Sequence, residues 1–294
     1  MGRLSSNKLW LGLLALVIAW PAMSEPDAAA QWSQVSLERH TLTAKPVSRS
    51  LRLQVALPAG YDPNQRYPVL YYTDAFSQAG RVSEIVYSLG AVGVIPAMIS
   101  VGIDSDSNTG AEATEARAYL LTPTQADTYQ APFGVQKGWT GGGALFLESL
   151  AKEVIPFIES HYAASGERTL YGHSFGGLFA AYTLFSQPQL FSRYLISSPS
   201  LAWDNRLILQ LESQYAANHK QLPVRVFLSV GSEENIPVSP MVDDVQRLSE
   251  VLNQRDYREF QFTSRIFAGE DHFTVTSQSI SIGLRALFAA EQAH

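Results

Sequence analysis

The chain of 294 residues contains no cysteine, and this absence excludes several kinds of chemistry at once. Without thiols the protein forms no disulfide bond, offers no thiolate ligand to a metal and uses no cysteine nucleophile. Its six histidines are scattered, and none follows another at the spacing typical of metal-binding motifs. We therefore expect no metal and no other cofactor.

Charged residues are also few, and no run of Lys or Arg occurs anywhere in the chain. The 21 basic residues are outnumbered by 27 acidic residues, which gives a formal net charge of −6. Nucleic acids and anionic membranes attract basic surfaces, so neither is an expected partner. Internal repeats, low-complexity segments and interdomain linkers are lacking too, which favours a single domain.

The first 24 residues have the composition of a secretory signal peptide, with Arg3 and Lys8 ahead of a mostly apolar stretch at 9–20. Small residues at Ala22 and Ser24 suit cleavage after position 24. A membrane-spanning helix needs about 20 apolar residues, which makes an uncleaved anchor the less favoured alternative. We expect an exported protein, periplasmic rather than fully secreted, whose mature form has no membrane span and comprises one domain over residues 25–294.

Strand-like and helix-like segments alternate through the rest of the chain, which predicts an α/β fold. Residues 50–57 alternate apolar and polar, as an antiparallel edge strand does, whereas 67–73 and 97–103 are uniformly apolar, as buried parallel strands are. Residues 104–143 are rich in Gly, Ala, Thr and polar groups. We interpret them as a long loop forming the rim or partial lid of an active site, with a disordered insertion as the alternative. Helical patterns occupy residues 82–89, 144–162, 175–185, 241–253 and 278–290.

The most informative motif is Gly-His-Ser-Phe-Gly-Gly at residues 172–177, placed between an apolar run and a helical run. A G-x-S-x-G sequence at a strand-to-helix turn is typical of the nucleophile elbow of α/β-hydrolases. The motif predicts Ser174 as a nucleophile, with a glycine-rich structural turn as the alternative. The fold it implies is an α/β-hydrolase with a mostly parallel central sheet, antiparallel N-terminal strands and helices on both faces.

A serine hydroxyl needs a histidine base, and in this fold the base follows the serine along the chain. Three histidines lie downstream of Ser174. His219 occupies a polar stretch and His294 is the last residue, whereas His272 lies between the last strand-like run and the C-terminal helix. His272 is therefore the predicted base.

The carboxylate that orients the base is expected after the strand-like run 224–230. Glu234, three residues beyond Gly231, occupies the usual position of this acid. Glu233 is an alternative if the loop winds differently, and Asp271 is a weaker one because it adjoins the base itself.

An oxyanion hole should use two backbone N–H groups. One belongs to Phe175, directly after the nucleophile. The other is expected from the turn after residues 69–74, where Ala75 or Phe76 would supply it, and Ala75 is our choice.

Three segments together carry a family resemblance: residues 155–162, the elbow at 172–177, and residues 197–204 from Ser-Ser-Pro-Ser to Trp-Asp. In these the chain resembles the esterase D-like family of α/β-hydrolases, over about residues 51–287. That family includes siderophore esterases, feruloyl esterases, S-formylglutathione hydrolases and mycolyltransferases. The resemblance implies a catalytic pair of Ser174 and His272 with the acid on the loop of Glu234. Some siderophore esterases resemble Ser–His dyads, so a site without the acid stays open.

The chain departs from the family pattern in two places. Relatives often carry Asp-Gly where this chain has Asp74-Ala75, so an oxyanion donor here must tolerate a side chain. Many relatives also show Arg-x-Arg-Asp before Leu-Thr-Pro, and of these residues Arg117 alone remains. Any anion-binding role implied by the resemblance therefore falls to Arg117.

The sequence thus predicts an exported serine esterase that cleaves carboxylic esters, of siderophores or of aromatic acids, through an acyl-Ser174 intermediate. Its partner is a small-molecule ester. An acyltransferase of the same fold and a non-catalytic binding protein are the alternatives. Trp139, Trp203, Tyr72 and Phe76 are candidates to line an aromatic-accepting pocket, although each could equally be a core residue.

Overall fold

The computed structural model describes residues 35–107, 110–126, 135–136, 138–236 and 239–289. The predicted signal peptide lies outside these ranges. None of the helices in them is sufficiently long and apolar to cross a membrane. The strands are β1 (Leu37–Ala44), β2 (Arg49–Ala56), β3 (Tyr67–Thr73), β4 (Ile99–Ser105), β5 (Ala164–His173), β6 (Arg193–Ser197), β7 (Arg225–Gly231), β8 (Asn235–Ile236), β9 (Ser239–Pro240) and β10 (Gln261–Phe267). The α-helices are α1 (Ala75–Ala91), α2 (Gly110–Leu121), α3 (Gly143–Ser149), α4 (Ile155–His161), α5 (Phe175–Ser186), α6 (Trp203–Asn218), α7 (Met241–Asn253) and α8 (Val275–Phe288).

The central sheet has eight strands in the order β1-β2-β4-β3-β5-β6-β7-β10. From β4 to β10 every neighbouring pair is parallel, whereas β1, β2 and β4 pair antiparallel. This confirms the predicted α/β-hydrolase fold, with a mostly parallel sheet and antiparallel N-terminal strands. A short antiparallel ribbon of β8 and β9 lies outside the sheet.

Helices cover both faces of the sheet because the parallel strands are apolar on both sides. In β3, Val69 and Tyr71 belong to the larger core cluster, and Leu70 and Tyr72 belong to the smaller one. This alternation follows from the two-residue period of a strand. Helices α1 and α8 pack on the smaller cluster, and α5, α6 and α7 contribute to the larger one. The prediction of helices on both faces is confirmed.

The predicted edge strand is not at the edge. Residues 50–57 correspond to β2, which lies between β1 and β4, and β1 forms the edge instead. The sequence of β1, Leu-Glu-Arg-His-Thr-Leu-Thr-Ala, is mostly polar and mostly exposed or half-buried. A strand with little buried surface carries little apolar pattern, so sequence reasoning missed it.

The segment predicted as a long loop contains helix α2. Its buried residues are Ala116, Ala118, Leu120 and Leu121, so much of the face that packs inward is made of alanine. Alanine favours helix but gives little contrast between an apolar and a polar face. Tertiary packing therefore decides this helix, and the expectation of a continuous loop over 104–143 was wrong.

The parallel strands place their carboxyl ends along one edge of the sheet, where ligands bind in α/β folds. The turns that follow β3, β5, β7 and β10 all lie at this edge. These four turns carry the predicted nucleophile, base, acid and oxyanion donors.

Candidate active site

Ser174 lies at the turn between β5 and α5. Its φ of 61° and ψ of −118° place a non-glycine residue in a strained backbone region. The turn can close only because residue 172 is a glycine. A Cβ at this position would lie 2.0 Å from the carbonyl oxygen of Gly176. The Ser174 N–H donates to the Ser197 carbonyl at 3.1 Å, which holds the turn against β6. The half-buried serine side chain lines a cavity of about 350 Å³.

A second glycine brings α5 against the end of β3. A Cβ on Gly176 would lie 2.1 Å from Thr73 Oγ1 and 3.2 Å from Asp74 Oδ2. Asp74 itself has a left-handed φ of 60°, and α1 begins at the next residue. The first turns of α1 and α5 therefore lie close together beside Ser174. Peptide N–H groups at helix starts attract negative charge, so this corner of the site suits an oxyanion.

His272 lies in the turn between β10 and α8, with its Nδ1 2.6 Å from Oε2 of Glu234. The side chain of Glu234 is 1% exposed. Its other oxygen, Oε1, accepts hydrogen bonds from the Gly231 N–H and the Ser198 hydroxyl, each at 2.7 Å. Three partners thus hold the carboxylate, and the carboxylate in turn fixes the imidazole. His272 and Ser174 line the same cavity.

The two alternatives for the acid point elsewhere. Glu233 is exposed, and its carboxylate accepts a hydrogen bond from the neighbouring Ser232 hydroxyl at 2.8 Å. The Asp271 carboxylate accepts two backbone N–H groups just ahead of α8, at 2.8 and 2.9 Å, which lower the pKa of Asp271. Of the three predicted candidates, the structure brings Glu234 to His272.

A second histidine packs against the first. His173 is buried, and its ring centroid lies 4.5 Å from that of His272. Its Nδ1 is 3.2 Å from the Ser197 hydroxyl. Burial, followed by the positive charges of His272 and Arg117, lowers the pKa of His173 well below its ordinary value. A neutral ring therefore packs against His272. Sequence reasoning gave this residue no role, since it fills the variable position of the elbow motif.

The predicted oxyanion donors are the first residues of two helices. Phe175 begins α5 and Ala75 begins α1, and both side chains are buried. The N–H of Phe76 donates to the carboxylate of Asp104, so this alternative donor is already engaged. Among the described residues, none accepts a hydrogen bond from the Ala75 N–H. Of these two candidates, Ala75 has the N–H that is not engaged, and its role as an oxyanion donor stays a prediction.

Asp104 is a further carboxylate at the edge of the site, where it follows the apolar run of β4. Burial, together with the negative charge of Asp74, raises its pKa to about 7, against the opposing effects of the Phe76 N–H and of Arg117. Its position at the carboxyl end of a buried strand is a signal that could have identified it.

Arg117 lines the cavity but does not face it as a free cation. Its Nε lies 2.5 Å from Asp74 Oδ1 and its Nη2 lies 3.1 Å from Asp74 Oδ2. The guanidinium also lies over the Phe175 ring, 5.3 Å from the centroid. This two-point ion pair neutralises both groups. The binding of an anionic substrate by Arg117 stays a prediction, and the contact that the structure shows holds the start of α1 near the elbow.

The predicted aromatic lining is largely wrong. Trp203 is 1% exposed and packs edge-on against Phe175 at 5.6 Å, so it supports the elbow from the core. Tyr72 is fully buried in the sheet, and Trp139 is half-buried against the larger core cluster. Phe76, by contrast, is 89% exposed and borders a second cavity of about 350 Å³ beside the first. Large aromatic side chains serve cores more often than pockets, and sequence does not separate the two.

Comparison with known proteins identifies the family. The family model described as "Putative esterase" matches residues 44–292. The ferri-bacillibactin esterase BesA of Bacillus subtilis is 30% identical over 258 residues, which cover 84% of this chain and 88% of that protein. A siderophore enterobactin esterase of Emericella nidulans is 34% identical over 199 residues, covering 58% of this chain and 65% of that protein. An IroE-like serine hydrolase from Shewanella oneidensis superposes with a TM-score of 0.76 at 26% identity, covering 86% of this chain and 80% of that one.

The fold, the family match and the named activities of these relatives agree. The resemblance to esterases with siderophore-cleaving members is confirmed. The chain belongs to the Putative esterase family and is a carboxylic ester hydrolase.

Proposed function

We propose that this esterase works through an acyl-serine intermediate on Ser174, with His272 as general base and Glu234 as its orienting acid. One observation carries the proposal: Ser174, on a strained elbow, shares a cavity with a histidine whose Nδ1 is 2.6 Å from a buried carboxylate. A serine hydroxyl becomes nucleophilic when a base removes its proton, and the base must present a free ring nitrogen. The bond to Glu234 places a proton on Nδ1 and leaves Nε2 to accept one.

In the first half of the reaction, Ser174 Oγ attacks the ester carbonyl carbon while Nε2 of His272 takes the hydroxyl proton. The carbonyl oxygen becomes an oxyanion, for which the N–H groups of Phe175 and Ala75 are the proposed donors. The tetrahedral intermediate collapses, the C–O bond to the alcohol breaks, and imidazolium His272 protonates the departing alkoxide. Glu234 stabilises the imidazolium while it exists.

In the second half, water replaces the alcohol. His272 removes a proton from the water as its oxygen attacks the acyl carbon. The second tetrahedral intermediate then expels Ser174 Oγ, which takes back a proton from His272. The products are a free acid and the unmodified enzyme.

For the substrate class we propose siderophore esters. The support comes from the relatives: BesA is named a ferri-bacillibactin esterase and the Emericella nidulans protein a siderophore enterobactin esterase. The site suits such a role because the Ser174 cavity is partly open at the protein surface, where Phe273 is 71% exposed. A panel of siderophores with and without iron, followed by mass spectrometry of the fragments, tests this assignment.

We propose in addition that the protein is exported, on the basis of the basic and apolar pattern of residues 1–24. Expression of the full chain in a bacterium, followed by fractionation and intact-mass measurement, tests this proposal. A periplasmic product that begins at Glu25 supports it, and a cytoplasmic product that retains Met1 contradicts it.

The mechanism is tested with a fluorophosphonate, which bonds to an activated serine. The protein and Ser174→Ala are treated side by side, weighed as intact molecules and assayed on nitrophenyl esters. One adduct per chain, absent from the variant together with turnover, is the expected result. An adduct that persists in Ser174→Ala, or unchanged turnover, contradicts the assignment.

A further inference from the structure

Arg81 lies on α1 and lines the cavity that contains Ser174 and His272. Its Nη1 donates a hydrogen bond to Gln78 Oε1 at 2.9 Å. Gln78 is 7% exposed and lines the same cavity, so a buried amide holds the guanidinium at the cavity wall. The arginine is therefore positioned by the fold, although its side chain remains accessible.

Arg81 differs from Arg117 in its ion pairing. Among the described residues no carboxylate pairs with it, whereas Arg117 is paired with Asp74 at two points. Asp74, Arg81 and Arg117 all line this cavity, and one carboxylate against two guanidiniums leaves one positive charge there. The positive charge of Arg81 also acts on the buried His173. Burial, His272 and Arg117 are the larger causes of the lowered pKa of His173, and Arg81 is a further one.

We infer that Arg81 is a specificity-determining residue that selects esters carrying an anionic oxygen group, a carboxylate or an ionised phenol, beside the scissile bond. An unpaired guanidinium offers several N–H donors in a plane, which matches the geometry of such groups. A substrate anion on Arg81 would complete an ion pair that the protein leaves incomplete. This inference rests on the proposed function, because it places the scissile ester at Ser174.

The test compares two nitrophenyl esters of similar shape, one of which carries a negative charge while the other is neutral. Mono-nitrophenyl terephthalate carries a carboxylate para to the ester, and methyl nitrophenyl terephthalate carries a neutral methyl ester there. The quantity measured is the ratio of kcat/KM for the anionic ester to that for the neutral ester. We expect the intact protein to favour the anionic ester, and Arg81→Ala to lower the ratio about 10- to 100-fold, as loss of a charge-assisted hydrogen bond does.

Two variants serve as controls. Arg81→Lys keeps the charge but loses the planar fork, so it should restore part of the ratio. Arg247→Ala removes the same charge from an exposed position on α7 that lines neither cavity, and it should leave the ratio unchanged.

Added salt should reduce the ratio of the intact protein more than that of Arg81→Ala, because salt screens an exposed ion pair. An unchanged ratio in Arg81→Ala overturns the inference.

A binding measurement separates this inference from the proposed function. Terephthalate monomethyl ester is titrated calorimetrically into Ser174→Ala and into Ser174→Ala with Arg81→Ala. Weaker binding to the double variant supports the role of Arg81 even if the intact protein fails to turn over either ester. Equal binding argues against Arg81 while leaving the fluorophosphonate result as the separate measure of the serine mechanism.

Discussion

His173 and His272 lie with their ring centroids 4.5 Å apart and their ring planes tilted by 40°, one ring buried and the other facing the cavity of Ser174. Two imidazolium rings at this distance would repel each other, so the pair functions with at most one positive charge. The buried ring is the one that stays neutral, because burial is the largest cause of its lowered pKa. This assignment is consistent with the role of base that we propose for His272.

This arrangement predicts a pH dependence of stability. Unfolded His173 takes up a proton near its ordinary pKa of 6.5, whereas the folded ring resists protonation. The unfolded state then binds more protons than the folded state below about pH 6.5. The free energy of unfolding should therefore decrease as the pH is lowered through this range, by at most ~1.4 kcal/mol per pH unit. Urea denaturation should show a smaller decline between about pH 7.5 and pH 5 for His173→Gln than for the intact protein. Parallel declines would contradict this account.

Asp104 predicts an effect of the opposite sign. Its pKa is raised to about 7, so the folded state binds more protons than the unfolded state between about pH 4 and 7. Its contribution to the free energy of unfolding therefore falls as the pH rises through this range. Asp104→Asn keeps an acceptor oxygen for the Phe76 N–H but carries no charge, so its stability relative to the intact protein should increase from pH 5 to pH 8.

The control for Asp104 lies two residues further along the chain. The side chain of Asp106 is 43% exposed and pairs with Arg52. Asp106→Asn should show no comparable gain in relative thermal stability between pH 5 and pH 8. If both variants change equally, the effect belongs to surface charge in general rather than to burial of Asp104.

Glu234→Gln tests the proposed acid. The amide keeps the size of the side chain but no longer fixes the tautomer of His272 or stabilises an imidazolium, so kcat should fall by roughly 10⁴-fold, as in serine proteases. Glu233→Gln is the matched control, since its carboxylate is exposed and bonds Ser232. Nitrophenyl ester kinetics measure both, and circular dichroism checks the fold. Full activity in Glu234→Gln would favour a Ser–His dyad.

Gly176→Ala tests the close contact between α5 and the end of β3. The added methyl group would lie 2.1 Å from Thr73 Oγ1, so the buried Thr73 side chain or helix α5 must shift, at a cost of about 1–3 kcal/mol. Because the same helix carries Phe175, ester turnover should fall as well. Gly166→Ala is the control, since its added methyl group meets nothing within 4 Å. Thermal melting and turnover should distinguish the two, and equal stability would refute the contact.

The elbow and the fold class could be predicted largely from residues that are adjacent in the sequence. The turn at Ser174 needs glycine at positions 172 and 176, and β3 needs apolar residues on both faces. Both requirements involve residues close together in the chain, so both are visible in the sequence. The same is true of α7, whose predicted limits agree with Met241–Asn253. Strand β1 and helix α2 escaped prediction because one buries little surface and the other buries mainly alanine.

The sequence by itself determined an α/β-hydrolase with a serine at its elbow, because the strand and helix periods and the glycine spacing are local properties of the chain. Only the tertiary structure decided which charges are paired. Arg117 meets Asp74 across 43 residues and His272 meets Glu234 across 38, while Arg81 is left without a carboxylate among the described residues. The energy of an ion pair depends on the distance between the two charges in space. For residues on separate elements, the order of the sequence does not determine that distance.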